Sequence, residues 1–423
     1  MSLHAPSATA FGGELLSYRQ AALVVAERAA HGSPALEQVP LDKAAGRILA
    51  QAVLAASDLP PFARSTRDGF ACRAHEASTH EFLELAGATR AGERPAGPLP
   101  SAAAWEITTG APLPAGADAV VMVEHGERLD GRVRLLPPRT IRPGENMVSE
   151  GAEARAGQTL LAAGAAITYA EIALAASSGY AELKVFRRPR VAILTTGDEL
   201  VAVQVTPRAG QIRNSNAPML AALVAEAGGE PWVLATAADD AQDLDRLLAQ
   251  AAAADMLLIS GGVSAGKFDL VEPALERMGA RFHFTGVRMQ PGKPLVFGEL
   301  RAGADTRVPI FGLPGNPVSS AVTFLLFASP MLAALAGRRD LGPRFAMARL
   351  ARETDRRGMP GLTRFLPAHC DFGAGAGELA TVVLVPWQGS GDLVALARSN
   401  CFLVIPEEVQ GIAEGEMARI LLC

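Results

Sequence analysis

The sequence is short of cysteine, of aromatics and of excess positive charge. Its 423 residues hold four cysteines, Cys72, Cys370, Cys401 and Cys423, with no CxxC pair among them. That spacing argues against a disulfide framework or a zinc knuckle and suits free structural thiols in a reducing compartment. Seven histidines are scattered without an HxxxH-type pair, and no Ser–His–acid or Cys–His set can be assembled. A formal net charge of −5 leaves no global basic footprint for nucleic acid, and the short run "RRPR" (Arg187 to Arg190) reads as a solvated linker. The first residues, "MSLHAPSATAFGG", lack the basic start and apolar core of a secretory signal. The uncharged run "AVTFLLFASPMLAALAG", 321–337, sits at the lower edge of the ~17–25 residues a membrane span needs and contains Pro330. It reads as a buried core helix. These absences point to a cytoplasmic globular protein.

What is present is apolar material, 49% of the chain against 20% charged, enough for about two to four domains. A helix is expected from about Leu15 to Ala30 by its spacing. From about Gln51 to Val148, short strand-like runs such as "EFLELAG" and "RVRLLPP" alternate with turn signals, so this stretch reads as a small β-rich domain. "TYAEIALAASSGY" reads as a helix capped by Thr168 and stopped at Gly179. Between Val191 and Gly337, "VAILTT", "PWVLAT", "DMLLIS" and "VPIFGL" read as buried strands, the first three each followed by a helical stretch. That alternation predicts a doubly wound, mostly parallel α/β sheet. From about Gly342 to Cys423, short strands between Gly-rich turns suggest a barrel or a sandwich.

Ligands of open α/β sheets sit beyond the carboxyl ends of the strands, and here those ends are polar. The first carries Gly197, Asp198 and Glu199; the second Asp239 and Asp240. The third carries Gly261, Gly262, Ser264, Gly266, Lys267 and Asp269, and the fourth Pro314, Gly315, Asn316 and Pro317. "GGVSAGKFD" nearly spells a P-loop, but Phe268 stands where a metal-binding hydroxyl belongs. Glycines let backbone N–H groups approach an anion, and Asn316 followed by Pro317 suits a helix N-terminus. Lys267 and Lys293 offer point charges for phosphate. Carboxylates do not bind phosphate unaided, so Glu199, Asp240 and Asp269 imply a bridging hard cation such as Mg²⁺. Plainer readings exist for each group: Asp198 and Glu199 can cap the next segment, Asp239 can favour a helix start, and Lys267 can be a solvated loop lysine.

The ordered set "TTGDEL", "GQIRNSN", "SGGVSAGKFD", "MQPGKP" and "GLPGNPVSS" resembles the molybdopterin molybdenumtransferase family. That family comprises bacterial MoeA proteins and the E domains of gephyrin and its plant homologue. The likeness runs upstream through "PPFARSTRDGFA" and "ITTGAPLPAGADAVVMVE" and downstream through "PWQGSGDLVALARSNCFLVIP". It implies a homodimer with an N-terminal helix (12–32) packing with the α/β domain and a linker domain (33–50 and 150–186). A β-rich insertion domain (51–149), an α/β molybdopterin-binding domain (187–338) and a C-terminal β-barrel (339–423) complete it. The implied activity is insertion of molybdate into adenylylated molybdopterin with Mg²⁺-dependent release of AMP. A molybdopterin adenylyltransferase is an implied partner, with no nucleic acid and no membrane.

By position the resemblance implies functional roles for Asp68, Thr109, Glu199, Asp240, Asp269 and Lys293, of which Glu199, Asp240 and Asp269 would hold the metal. Asn214, Ser215 and Asn216 fall where the family meets nucleotide or pterin, Pro314 and Pro317 on its proline pair, and Ser390 on a functional serine. The chain departs from the family pattern at Arg67, where an apolar residue is usual. It departs again at Ala152 and Glu153, opposite a Glu and an Asp, and at Gln290, where some members carry Lys. Two other readings share the sheet motifs: an adenylyltransferase or nucleotide-cleaving relative, and a non-enzymatic scaffold of the gephyrin kind.

Overall fold

Successive residues of a strand point to opposite faces of a sheet, and the apolar runs of this chain use both faces. The computed structural model describes residues 15–32, 34–137, 140–238, 240–262, 270–301, 307–354, 361–373 and 379–423. Its strand Arg190–Thr195 sends Val191 and Ile193 into one core and Ala192 and Leu194 into another. Strand Met256–Ser260 divides Met256 and Leu258 from Leu257 and Ile259 in the same way. A sheet buried on both sides needs helices on both sides. Asn216–Glu226 and Pro317–Thr323 cover the first face, Ala241–Ala251 and Val271–Arg277 the second. Across the sheet the strands run Glu230–Val233, Arg190–Thr195, Met256–Ser260, Arg307–Leu313, Val296–Arg301 and Arg281–Thr285. The first four are mutually parallel, and Val296–Arg301 is antiparallel to both of its neighbours, Arg307–Leu313 and Arg281–Thr285. This is the predicted mostly parallel, doubly wound sheet. Phe297 and Phe311 stack at its centre, ring centroids 4.7 Å apart, and each fully buried phenyl contributes about 1.5–3 kcal/mol of transfer free energy.

Two expectations need correction here. "PWVLAT" is not a buried run. Glu230–Val233 is an edge strand with Glu230 and Val233 exposed, because only one neighbour covers it. Nor is "RRPR" a solvated linker. Arg187 Nη2 donates to both carboxylate oxygens of Asp255 (2.7 and 2.8 Å), and the Arg190 guanidinium lies 3.7 Å from the centroid of Trp232. The run is pinned where it enters the sheet.

The apolar helical stretch Pro317–Leu335, mean hydropathy 1.9, is 67% buried inside the fold. Phe324, Leu326, Phe327, Met331 and Leu332 fill the first core. Its middle, Phe324–Ala328, winds as a π-helical turn just before Pro330, whose missing N–H cannot continue the ordinary ladder. The predicted N-terminal helix begins at Tyr18. Ser17 and Gln20 form a reciprocal capping box, and Leu16–Ser17 is a short strand parallel to Val287–Gln290.

The C-terminal segment decides between barrel and sandwich by closing on itself. Thr363–Asp371, Thr381–Leu384, Phe345–Leu350, Met417–Leu422 and Cys401–Ile405 pair in a ring that returns to Thr363–Asp371. Closure leaves no edge within the ring. Strand Val287–Gln290, from a stretch expected wholly in the α/β domain, adds to the barrel sheet beside Thr363–Asp371. The thiols of Cys72 and Cys401 are free and pushed up to about 12 by burial, so both stay protonated.

Contacts divide the chain into two units, residues 1–38, 46–50 and 184–423 in one and 39–45 and 51–183 in the other. The second is built on a six-stranded sheet ordered Ala119–Met122, Gly69–Cys72, Ala103–Ile107, Leu83–Thr89, Arg132–Leu135 and Gly126–Leu129. One pair, Leu83–Thr89 with Ala103–Ile107, is parallel and the others antiparallel. Phe70 and Cys72 enter one core and Ala71 another, so this sheet too is covered on both faces. The predicted helix follows at Tyr169–Ser177, with Thr168 and Glu171 forming a capping box and Gly179 at φ +85° ending it.

Candidate functional site

The strand order reverses direction between Arg190–Thr195 and Met256–Ser260, one strand leading out to the 230–233 edge and the other toward 307–313. Outside their carboxyl ends lies an open cleft of about 1020 Å³, where a doubly wound sheet places its ligand. Thr196, Gly197 and Glu199 line it from the first strand, Ser260, Gly261 and Gly262 from the third, and the turn Pro314–Pro317 from the 307–313 strand. Arg213, the turn Asn214–Asn216, Pro294 and Gly391 add to the wall.

Close packing of the loops dictates their glycines. Gly261 has φ +95°, and a Cβ there would lie 2.6 Å from the Thr196 carbonyl oxygen; one on Gly262 (φ +62°) would meet Thr196 Oγ1 at 2.8 Å. Asn216, buried at the start of its helix, donates from Nδ2 to Ser260 Oγ (2.8 Å) and to the Gly315 carbonyl (2.7 Å), tying three loops together. Asn214 donates to Thr195 Oγ1 and accepts from the Ala217 N–H, so it serves the turn's own structure. Ser215 occupies the N-cap position between them, without a capping bond from its side chain.

Asn316 stands at a helix N-terminus with Pro317 in the first turn, as expected, yet its side chain does not cap the helix. It donates instead to Ser390 Oγ (2.8 Å), while the Ser390 carbonyl accepts from the Val318 N–H (3.0 Å). The barrel's Ser390 turn is thereby fastened to the sheet's Pro314–Pro317 turn. Glu199 is exposed on the cleft wall. Asp240 is not among the cleft-lining residues: its Oδ1 accepts from the N–H groups of Gln242 and Asp243, both at 3.0 Å, capping helix Ala241–Ala251. The expected convergence of four strand ends is therefore one of three among the described residues. Lys293 is exposed beside the lining residue Pro294. Asp239, Ser264, Gly266, Lys267 and Asp269 lie outside the described residues. Gly261 does not offer its N–H to an anion, because that group donates to the Leu313 carbonyl (3.3 Å). Among the described residues no three His, Cys, Asp or Glu side chains gather into a metal cluster.

Residue-by-residue reading passed over two members of the cleft. Arg213, whose Nε donates to the Val203 carbonyl (2.9 Å), is the cationic side chain among the described lining residues. Thr196 is 7% exposed, and its Oγ1 has no hydrogen-bond partner. Both stand inside stretches whose neighbours drew attention, "TTGDEL" and "IRNSN".

In the insertion unit, Gly69 pairs with Ile107 across antiparallel strands, which sets Asp68 beside the turn after Ile107. There the Thr109 N–H (2.6 Å) and its hydroxyl (3.0 Å) both donate to Asp68 Oδ1. The backbone bond first, and then the hydroxyl, hold the Asp68 carboxyl below the usual carboxylate range. Of the departures from the family pattern, Glu153 pairs with Arg64 at 3.2 Å, and Arg67 donates its N–H to Ser65 Oγ (3.2 Å).

An α/β sheet with a polar cleft at its switch point, a separate β-rich unit and a closed terminal barrel make up a multidomain α/β-plus-β architecture. Three family models match in series: the MoeA N-terminal region (domain I and II) over residues 16–179, a probable molybdopterin binding domain over 192–334, and the MoeA C-terminal region (domain IV) over 349–423. This is the class of molybdopterin-binding biosynthetic proteins. Molybdopterin molybdenumtransferase of Nostoc sp. is 36% identical over 398 residues, covering 91% of this chain and 88% of its own. Molybdopterin molybdenumtransferase of Haemophilus influenzae is 32% identical over 407 residues, covering 92% and 96%. A crystal structure of a molybdopterin biosynthesis MoeA protein from Pyrococcus horikoshii superposes with a TM-score of 0.79 at 32% identity, covering 97% of this chain and 99% of that one. The chain belongs to the molybdopterin molybdenumtransferase family, and it is a transferase of molybdenum cofactor biosynthesis.

Proposed function

We propose that this transferase takes adenylylated molybdopterin and molybdate, places molybdenum on the dithiolene sulfurs and releases AMP. The observation that carries the reading is the union, at one sheet edge, of an acid, Glu199, and a cation, Arg213, with the Asn216 lock and the barrel's Ser390 turn. Such a cleft suits a ligand that is part neutral heterocycle and part anionic linkage.

The donor set fits a hard divalent cation such as Mg²⁺. Glu199 contributes a carboxylate, the neighbouring polar atoms include amide and hydroxyl oxygens, and among the described residues no Cys or His lines the cleft. By the family pattern Glu199, Asp240 and Asp269 would hold the ion; of these Glu199 lines the cleft, while Asp240 lies outside the lining with Oδ1 on its helix cap. When bound, the ion neutralises charge on the phosphoanhydride. Arg213 and Lys293 orient the phosphates. An oxygen of molybdate or of water forms the new bond to phosphorus, the bridging P–O bond breaks, and AMP departs with the bridging oxygen and its electron pair. Asp68, held ionised by Thr109, keeps Oδ2 for a cation or a proton. The active species is a homodimer in the cytoplasm, supplied with pterin nucleotide by a molybdopterin adenylyltransferase.

The test is reconstitution. Purified protein given adenylylated pterin, molybdate and Mg²⁺ should yield AMP together with cofactor that activates an apo-molybdoenzyme. AMP formed without metal insertion would point to a nucleotide-cleaving activity instead.

A further inference from the structure

We infer that the Thr196 hydroxyl and the Asn216 amide oxygen form a hydrogen-bond reader on the cleft floor, one that takes an N–H or O–H from the neutral head of the ligand. The inference rests on the reading that molybdopterin binds in this cleft.

Thr196 and Asn216 are 7% and 9% exposed and both line the cleft, yet Thr196 Oγ1 and Asn216 Oδ1 have no hydrogen-bond partner. A buried polar atom left unpaired costs folding free energy, so two of them beside one cavity call for a ligand. The polarity of the reader is set by the geometry of Asn216. Its Nδ2 is already committed to Ser260 Oγ and the Gly315 carbonyl, and rotating the amide would break both bonds. Oδ1 is therefore left as an unpaired acceptor and asks for a donor.

Among the described residues, several backbone groups of the floor are closed to an anion. The Gly261 N–H is spent on Leu313, and Pro314 and Pro317 have no N–H to give. Among the described lining residues the cationic side chain is Arg213. A phosphate is thus drawn toward Arg213, and the part of the ligand left for the floor is neutral and rich in donors. A pterin ring, with its exocyclic amino group and ring N–H, meets that description.

Thr196→Val removes the hydroxyl at constant shape, and Thr196→Ser restores it. The full chain is titrated with molybdopterin under anaerobic conditions, with inorganic phosphate as competitor, and thermal midpoints are recorded alongside. Expected for Thr196→Val is molybdopterin binding weaker by about tenfold, the weight of one hydrogen bond. Its midpoint should be equal to or above that of the parent, since an orphaned hydroxyl is gone, and its phosphate competition unchanged. Thr196→Ser should bind as the parent does. Parent-like molybdopterin binding by Thr196→Val would overturn the inference. So would a parallel loss of phosphate affinity, or weakened binding in both variants with lowered midpoints, which would mark a packing effect. A parent chain that fails to bind molybdopterin would instead remove the functional reading itself.

Discussion

Asp68 in the insertion unit and Asp240 beside the α/β sheet are both aspartates with one oxygen taken by two donors, and they earn those donors differently. Asp240 accepts from Gln242 and Asp243, two and three residues ahead, as any helix N-cap does. Asp68 accepts twice from Thr109, 41 residues away, delivered by the pairing of Gly69 with Ile107. The first arrangement is local and would exist in any protein that starts a helix there. The second needs a whole sheet, and it stabilises the ionised form of the acid on an exposed loop. Long-range satisfaction of a surface carboxylate is the stronger sign of use. Glu199 stands apart from both, exposed on the wall of the cleft.

The largest effect expected in this comparison comes from Glu199. Glu199→Gln removes the charge with little change of shape, and single-turnover AMP release should fall about a hundredfold or more, the scale of losing one preorganised electrostatic contact. Release at the parental rate would shift the acid role in this unit elsewhere.

Thr109→Ala should come next. Without the hydroxyl, the Asp68 carboxyl moves up toward the ordinary carboxylate range, which an NMR titration of Asp68 would read. The sign follows from its lowered folded value. Whatever the ionised form contributes is present above the unfolded carboxylate range and is lost as pH falls through the folded value. The acid limb of the pH–rate profile should therefore shift to higher pH in Thr109→Ala and stay nearly in place in Thr109→Ser. An unmoved limb in Thr109→Ala would separate Asp68 from the chemistry.

The smallest effect tests whether Asp240 is more than a cap. Asp240→Ala should cost about 1 kcal/mol of unfolding free energy, the usual loss of an N-cap, whereas Asp240→Asn keeps the capping oxygen and most of the stability. The Asn variant should still need several-fold more Mg²⁺ for half-maximal AMP release. An unchanged Mg²⁺ requirement would leave Asp240 as a helix cap alone.

Much of this was legible in the residues. Apolar runs at 191–195, 256–260 and 308–313 announce a two-sided sheet because both faces must be apolar at once, and Thr168 and Gly179 mark a helix start and stop by local chemistry. "PWVLAT" misled because an apolar run does not say whether one neighbour or two will cover it. Asn316 was legible as a helix start but not as the partner of Ser390, 74 residues on. Thr196 and Arg213 went unremarked because a threonine or an arginine in a loop carries no periodicity or spacing that distinguishes it.

The order of residues alone therefore determined the element types, the two-faced sheet and the family, since these depend on patterns a few residues long or on motifs read in series. Tertiary structure alone decided which strand ends share a cleft, which oxygens are left without partners and which carboxylate is held ionised. Those outcomes depend on atoms brought within about 3 Å from distant parts of the chain, and no local pattern records such an encounter.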